Sequence, residues 1–101
     1  MAVTDRIELS VKSHEDYVKD IMNLTAEQIR MARAALRWGV RDLATRANIT
    51  AATVTRIEAG RPGYSSTIEA IRLAFEAAGI DFIPENGGGV GVRLKKPSQP
   101  K

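Results

Sequence analysis

The chain has 101 residues, of which 15 are Lys or Arg and 12 are Asp or Glu, and it contains one His and no Cys. A chain of this length folds as one small domain with little room for a deep substrate cleft, which disfavours a large enzyme. No nucleophile, base and orienting group converge on any motif, so the sequence predicts a protein that is not an enzyme. Without Cys there is no disulfide or thiolate zinc site, and His14 alone cannot build a multi-histidine metal site, so we expect no cofactor and no metal.

Charge and hydropathy vary along the chain. Residues 1–22 carry more acidic than basic residues, whereas residues 23–79 and 80–101 each carry an excess of Lys and Arg. A basic body favours a polyanionic partner. No run of about 18 apolar residues is present, and Met1–Ser10 is polar and acidic where a signal peptide is basic and then apolar. The sequence therefore predicts a cytoplasmic protein without a membrane partner.

Residues 1–22 form a predicted N-terminal extension. Ile7–Val11 alternates between apolar and polar residues, which is typical of a short strand. Ser13 precedes Asp16 by three residues, a capping signal for a short helix. Neither element is long enough to be stable by itself, so the extension is a candidate dimerisation or partner-binding segment.

Residues 23–79 contain four predicted helices. Thr25 and Gln28 form a capping box, which predicts a first helix over about Ala26–Trp38. The second helix is predicted over Val40–Ala47, with Gly39 as its cap. Asn48 tolerates the left-handed conformation of a tight turn. The third helix is predicted from Ala51 to Glu58 or Ala59, with Thr50 as its cap. The fourth helix is predicted to begin after a cap at Ser65, Ser66 or Thr67 and to end at Gly79.

The hydropathy period changes after Gly79. Alternating apolar residues on either side of the glycine-rich segment 84–89 predict a β-hairpin over residues 80–94. Phosphate-binding glycine loops lead from a strand into a helix, and this one leads into another strand, so the turn interpretation is favoured. Residues 95–101 are predicted to be a disordered tail, in which Lys95 and Lys96 are available to an anionic partner.

The second and third helices, joined by a tight turn, predict a helix-turn-helix. A small residue, Ala44, stands where the two helices cross, Asn48 makes the turn, and Val54 and Ile57 anchor the third helix to the core. The sequence as a whole therefore predicts a mainly α fold. This fold is a compact helical bundle with a central helix-turn-helix, a short N-terminal strand and helix, and a C-terminal β-hairpin.

The stretches Arg-Asp-Leu-Ala-Thr-Arg-Ala-Asn-Ile-Thr (41–50) and Ala-Thr-Val-Thr-Arg-Ile-Glu-Ala-Gly (52–60) resemble the Cro and phage-repressor type regulators, also called the XRE family. The resemblance covers roughly residues 24–79 and implies a lambda-repressor-like fold. Family members usually have Gly where this chain has Asn48, and Ser or Thr where it has Gly39. Both departures are conformationally tolerable.

The resemblance implies that the third helix enters the major groove of double-stranded DNA. Arg56 is then the main candidate for guanine recognition, with a solvated helix arginine as the alternative. The other candidate base contacts are Ala51, Ala52, Thr53 and Thr55, and the candidate phosphate contacts are Arg41, Thr50, Arg61 and Tyr64. Thr50 also serves as a helix cap without DNA, and Tyr64 is equally compatible with a core position. The resemblance further implies a structural ion pair between Arg33 and Glu58.

Two functions are compatible with these residues. The leading hypothesis is a transcriptional regulator that represses by binding a palindromic operator as a homodimer. The hairpin, the fourth helix or residues 1–22 are the candidate dimer surfaces. The alternative is a protein-interaction module, an antitoxin or antiactivator that binds a protein partner through the helix-turn-helix scaffold and the N-terminal extension.

Overall fold

The computed structural model describes residues 24–96, which form four helices followed by a β-hairpin. The predicted mainly α fold with a central helix-turn-helix and a C-terminal hairpin is confirmed. The predicted strand and helix within residues 1–22, together with His14, lie outside the described residues. The elements are α1 (Ala26–Leu36), α2 (Val40–Ala47), α3 (Ala51–Glu58), α4 (Ser65–Ala77), β1 (Ile80–Ile83) and β2 (Gly91–Leu94).

One hydrophobic core joins the helices to the hairpin. Its largest members are the fully buried side chains of Phe75, Ile29 and Leu43, which come from three different helices, and Ile80 adds the first strand to the same cluster. Ala44 is buried where α2 and α3 pack together, as predicted from its size. Burial of these side chains is the main favourable contribution to folding.

The end of α1 differs from its prediction. The helix ends at Leu36 rather than Trp38, because Arg37 adopts a left-handed conformation with φ of 60°. The N–H of Trp38 donates to the Arg33 carbonyl at 2.9 Å, which closes the helix end and points the chain into the next helix. Trp38 then stacks on Phe75 with ring centroids 5.4 Å apart. Trp38, which was predicted as the last residue of the first helix, thus lies in the connection between α1 and α2 and packs against the core.

The starts of α2 and α4 both lack a side-chain cap from the N-cap residue. Gly39 precedes α2 as predicted, and the Asp42 carboxylate accepts its backbone N–H at 2.8 Å, so half of a capping box remains. The prediction that Ser65, Ser66 or Thr67 caps α4 is wrong. Tyr64 occupies that position without a side-chain cap, and both serines lie inside the helix.

The hairpin is fastened to α1 by Gln28. Its side-chain amide donates to the carbonyls of Ile83 at 3.0 Å and Gly91 at 2.9 Å, while its side-chain oxygen accepts the N–H of Thr25. Gln28 is only 1% exposed, and a buried amide is stable only when it is hydrogen-bonded in this way. The capping box predicted from sequence is therefore also the attachment point of the hairpin.

The hairpin strands pair antiparallel, with Asp81 opposite Arg93 and Phe82 opposite Val92. In the loop, the Glu85 carboxylate accepts the N–H groups of Gly87 and Gly89, which confirms the interpretation as a turn. Directly after β2, the N–H of Lys95 donates to the Gly79 carbonyl at 2.8 Å and extends the ladder. Residues 97–101 lie outside the described part of the chain.

Candidate nucleic-acid interface

The turn between α2 and α3 sets the angle at which α3 is presented. Asn48 has φ of 58°, the left-handed conformation that the sequence predicts for this position. The N–H of Ile49 donates to the Ala44 carbonyl at 2.9 Å and closes the end of α2. Val54 and Ile57 bury one face of α3 against the core, which leaves the opposite face at the surface. The helix-turn-helix is thus built as predicted.

The five predicted base-contacting residues lie on α3 but differ in exposure. Ala52, Thr55 and Arg56 are exposed, whereas Ala51 and Thr53 are half-buried. Ala51, in the first turn of α3, is half-buried because it packs against the hydrophobic core. Fewer residues of α3 are therefore fully exposed than the sequence predicted. Among the exposed ones, Arg56 has the longest polar side chain.

Thr50 caps α3. Its hydroxyl oxygen accepts the N–H of Thr53 at 3.1 Å, and the two hydroxyl oxygens lie 2.9 Å apart. This is the capping role predicted for Thr50 with or without DNA. The positive end of the α3 dipole lies at this exposed threonine, where an anion is favoured. A phosphate contact by Thr50 stays a prediction.

Three further candidate contacts are exposed on the elements that precede and follow α3. Arg41 is exposed in the first turn of α2, Arg61 is exposed in the loop after α3, and Tyr64 is 82% exposed just before α4. A core position for Tyr64, the alternative left open by the sequence, is excluded by this exposure. A cleft of about 400 Å³ lies between α3 and α4, lined by Thr53, Arg56, Ile57, Pro62, Gly63, Tyr64 and Thr67.

The cleft brings two candidate base-contacting residues, Thr53 and Arg56, to the same surface as Tyr64. Arg61 is tied to the same region because its backbone N–H donates to the Arg56 carbonyl at 3.1 Å. Within residues 24–96, the guanidinium groups of Arg41, Arg56 and Arg61 form no ion pair, whereas Arg33 and other arginines do. Exposed arginines without an ion pair in this part of the chain are suited to contacts with phosphate and base edges.

The far end of α3 is held by the predicted ion pair between Arg33 and Glu58. Nε of Arg33 lies 2.6 Å from one Glu58 oxygen, and Nη2 lies 2.8 Å from the other, a bidentate geometry. The hydrogen bonds to Glu58 raise the pKa of Arg33 above its ordinary value, against the desolvation that lowers it. Arg30 adds a hydrogen bond to the Glu58 backbone carbonyl. The orientation of α3 is therefore set at both of its ends.

Sequence reasoning missed one further arrangement behind the interface. The guanidinium carbon of Arg46 lies 4.6 Å from the ring centroid of Trp38, which itself stacks on Phe75. This cation–π contact joins α2 to the connection after α1 and to α4. The sequence did contain a signal for this contact, because the single Trp of the chain comes just before a helix that has Arg46 in its last turn.

Within residues 24–96, none of the helices has the length and apolar character required to cross a bilayer.

A family model described as a helix-turn-helix domain matches residues 25–81. A search of curated proteins found no match. The matched segment begins at the capping box of α1 and ends within β1, so it contains all four helices and the whole candidate interface.

Proposed function

The chain belongs to the helix-turn-helix domain family, which suggests DNA binding, and from this premise we propose that it is a sequence-specific transcriptional regulator of the XRE type. In this proposal α3 enters the major groove of double-stranded DNA. The observation that carries it is the exposed face of α3 with Arg56, together with Arg41 and Arg61 on the elements before and after α3, none of which forms an ion pair within residues 24–96. The protein acts in the cytoplasm as a binding protein rather than an enzyme.

The residues have separate roles in this proposal. Arg56 donates to the major-groove edge of a guanine, since its fork of donors matches the two acceptors there. Thr53 and Thr55 contact bases, and Ala51 and Ala52 pack on thymine methyl groups. The phosphate contacts that position α3 are assigned to Arg41, Thr50, Arg61 and Tyr64.

We further propose that the protein is a repressor that binds a palindromic operator as a homodimer. One α3 helix covers only about half a site, and two copies gain affinity from half-sites about 34 Å apart. The proposed organisation is an N-terminal extension (1–22), the DNA-binding domain (23–79), the hairpin (80–94) and a tail (95–101). The hairpin, α4 or the extension supplies the dimer surface.

The test is selection of bound duplexes from a random DNA pool at about 0.15 M salt, where nonspecific binding is partly screened. An enriched inverted repeat is the expected result. Absence of enrichment from a folded protein overturns the DNA proposal and favours the protein-interaction module. The salt dependence distinguishes the two as well, because DNA binding weakens steeply with salt and an apolar protein interface does not.

Point variants then separate base contacts from phosphate contacts. Arg56→Ala is expected to cost about 1–3 kcal/mol on the selected site and to relax the preference at one base pair. Arg61→Ala is expected to weaken all duplexes alike. Arg37→Gly is the matched control, because it removes the same charge from the exposed connection after α1, which lies outside the candidate interface and the candidate dimer surfaces. Equal loss on every duplex from Arg56→Ala contradicts its role in base recognition.

A further inference from the structure

The outer edge of β2 carries backbone groups without a partner in the described part of the chain. The Lys95 N–H donates to the Gly79 carbonyl, which extends the ladder by one hydrogen-bonded pair. Hydrogen-bonded and non-hydrogen-bonded pairs alternate in an antiparallel ladder, so the N–H and C=O groups of Val92 and Leu94 point away from β1. Among residues 24–96 these groups make no other backbone hydrogen bond. Such an edge is a template for one more strand.

The same edge leaves apolar surface uncovered. Leu94 lies opposite the fully buried Ile80, on the core-facing side of the hairpin, and is nevertheless 56% exposed. Met31 is 38% exposed on α1, the helix that packs against β2. It follows Gln28, which holds the hairpin, by three positions and so lies on the same side of α1. The described residues therefore leave one side of the hairpin core incomplete.

We propose that Ile7–Val11 of the same chain forms a third strand on the outer edge of β2. Its alternation places Ile7, Leu9 and Val11 on one face, where they cover Leu94 and the neighbouring surface of α1. The twelve residues 12–23 between this segment and Leu24 reach up to about 40 Å when extended, or about 22 Å when residues 13–22 form the predicted helix, whereas β2 is about 13 Å long. The connection is thus long enough for either strand direction.

Charge complementarity favours Ile7–Val11 as the strand that pairs with the outer edge of β2. When Ile7 or Leu9 lies opposite Leu94, in either strand direction, Glu8 falls opposite Arg93 or Lys95. Both side chains are exposed cations on the outer face of β2 or directly after it. Opposite charges at facing positions stabilise a strand pair.

Charge disfavours a second copy of β2 at the same edge in two registers. In a two-fold antiparallel pair, placing Val92 opposite Leu94 sets Arg93 against its own copy. Placing Leu94 opposite its own copy sets Arg93 against Lys95. Like charges at facing positions destabilise a strand pair, so in these two registers the cations of β2 favour an acidic strand instead. With Val92 opposite its own copy, Arg93 faces Gly91, and the dilution measurement below distinguishes that pairing from the third strand.

Amide hydrogen exchange of the full chain tests the proposal without DNA. The backbone N–H groups of Val92 and Leu94 are expected to exchange at least about tenfold more slowly in the native chain than in Leu9→Asp, which places a charge on the apolar face. The matched control is Ser10→Asp, which adds the same charge on the opposite face and is expected to keep the protection. The buried amide of Ile71 reports whether each variant is folded.

Direct proximity is measured in the native chain by nuclear Overhauser contacts between the methyl groups of Leu94 and those of Ile7, Leu9 or Val11. Their presence, with protection that does not change on dilution, supports the third strand. Three results overturn it: equal exchange in the native chain and Leu9→Asp, equal loss of protection in Ser10→Asp, or protection that falls on dilution. The last result would assign the edge to a second copy.

Discussion

The ion pair between Arg33 and Glu58 is the contact on which we expect stability to depend most strongly. It joins α1 to the last residue of α3 through two hydrogen bonds of 2.6 and 2.8 Å. The side chains are 22% and 9% exposed, so both charges are largely removed from water. Removing one partner leaves the other charge desolvated and unpaired, which is costly in a buried site.

The expected loss of unfolding free energy depends on which of the two charges remains. Glu58→Met leaves Arg33 with its hydrogen bond to the Trp38 carbonyl and with partial access to water, so we expect a loss of about 3 kcal/mol. Arg33→Met leaves the less exposed carboxylate without its two donors, and we expect about 4 kcal/mol. The double variant replaces the pair by two apolar side chains and is expected to cost no more than about 4 kcal/mol, which corresponds to a coupling of at least about 3 kcal/mol.

Urea unfolding followed by far-UV circular dichroism measures these differences. The matched control is Arg72→Met, which removes an arginine that pairs with Glu69 and Glu76 of its own helix. That variant is expected to cost less than about 1 kcal/mol. Additive effects of the two single variants, or a cost below about 1 kcal/mol for either, would refute the reasoning. The raised pKa of Arg33 keeps it charged up to strongly alkaline pH, so its contribution is lost only as pH rises through that value.

Three further variants test other parts of the fold. Gln28→Leu removes the donor to two hairpin carbonyls and one acceptor of the capping box, so unfolding free energy should fall by about 2–3 kcal/mol; a loss below about 1 kcal/mol would show that the hairpin does not depend on it. Arg37→Gly relieves a left-handed conformation and should raise stability by about 1 kcal/mol, and a lower melting temperature would contradict this. Arg46→Ala should cost about 0.5–1 kcal/mol and shift the fluorescence of Trp38, and an unchanged spectrum would argue against the cation–π contact in solution.

Local chemistry is sufficient to predict much of this fold. Thr25 with Gln28, Thr50, and Asn48 mark helix boundaries through hydrogen bonds and conformations within a few residues of themselves. The boundaries of α2 and α3 follow from these signals and agree with the structure. The candidate interface is predictable for the same reason, because the exposed face of α3 is the complement of its apolar face.

The remaining features depend on residues that are distant in the sequence. Gln28 meets the carbonyls of Ile83 and Gly91 only after the hairpin has packed on α1, and no local pattern encodes that contact. α1 ends at Leu36, where Arg37 turns left-handed and Trp38 stacks on Phe75 of α4, although the helical pattern of the local sequence continues to Trp38. Helix caps and hydrophobic periods act over a few residues and were determined by the sequence alone. Side-chain partners across the core were decided only by the tertiary packing that brings them together.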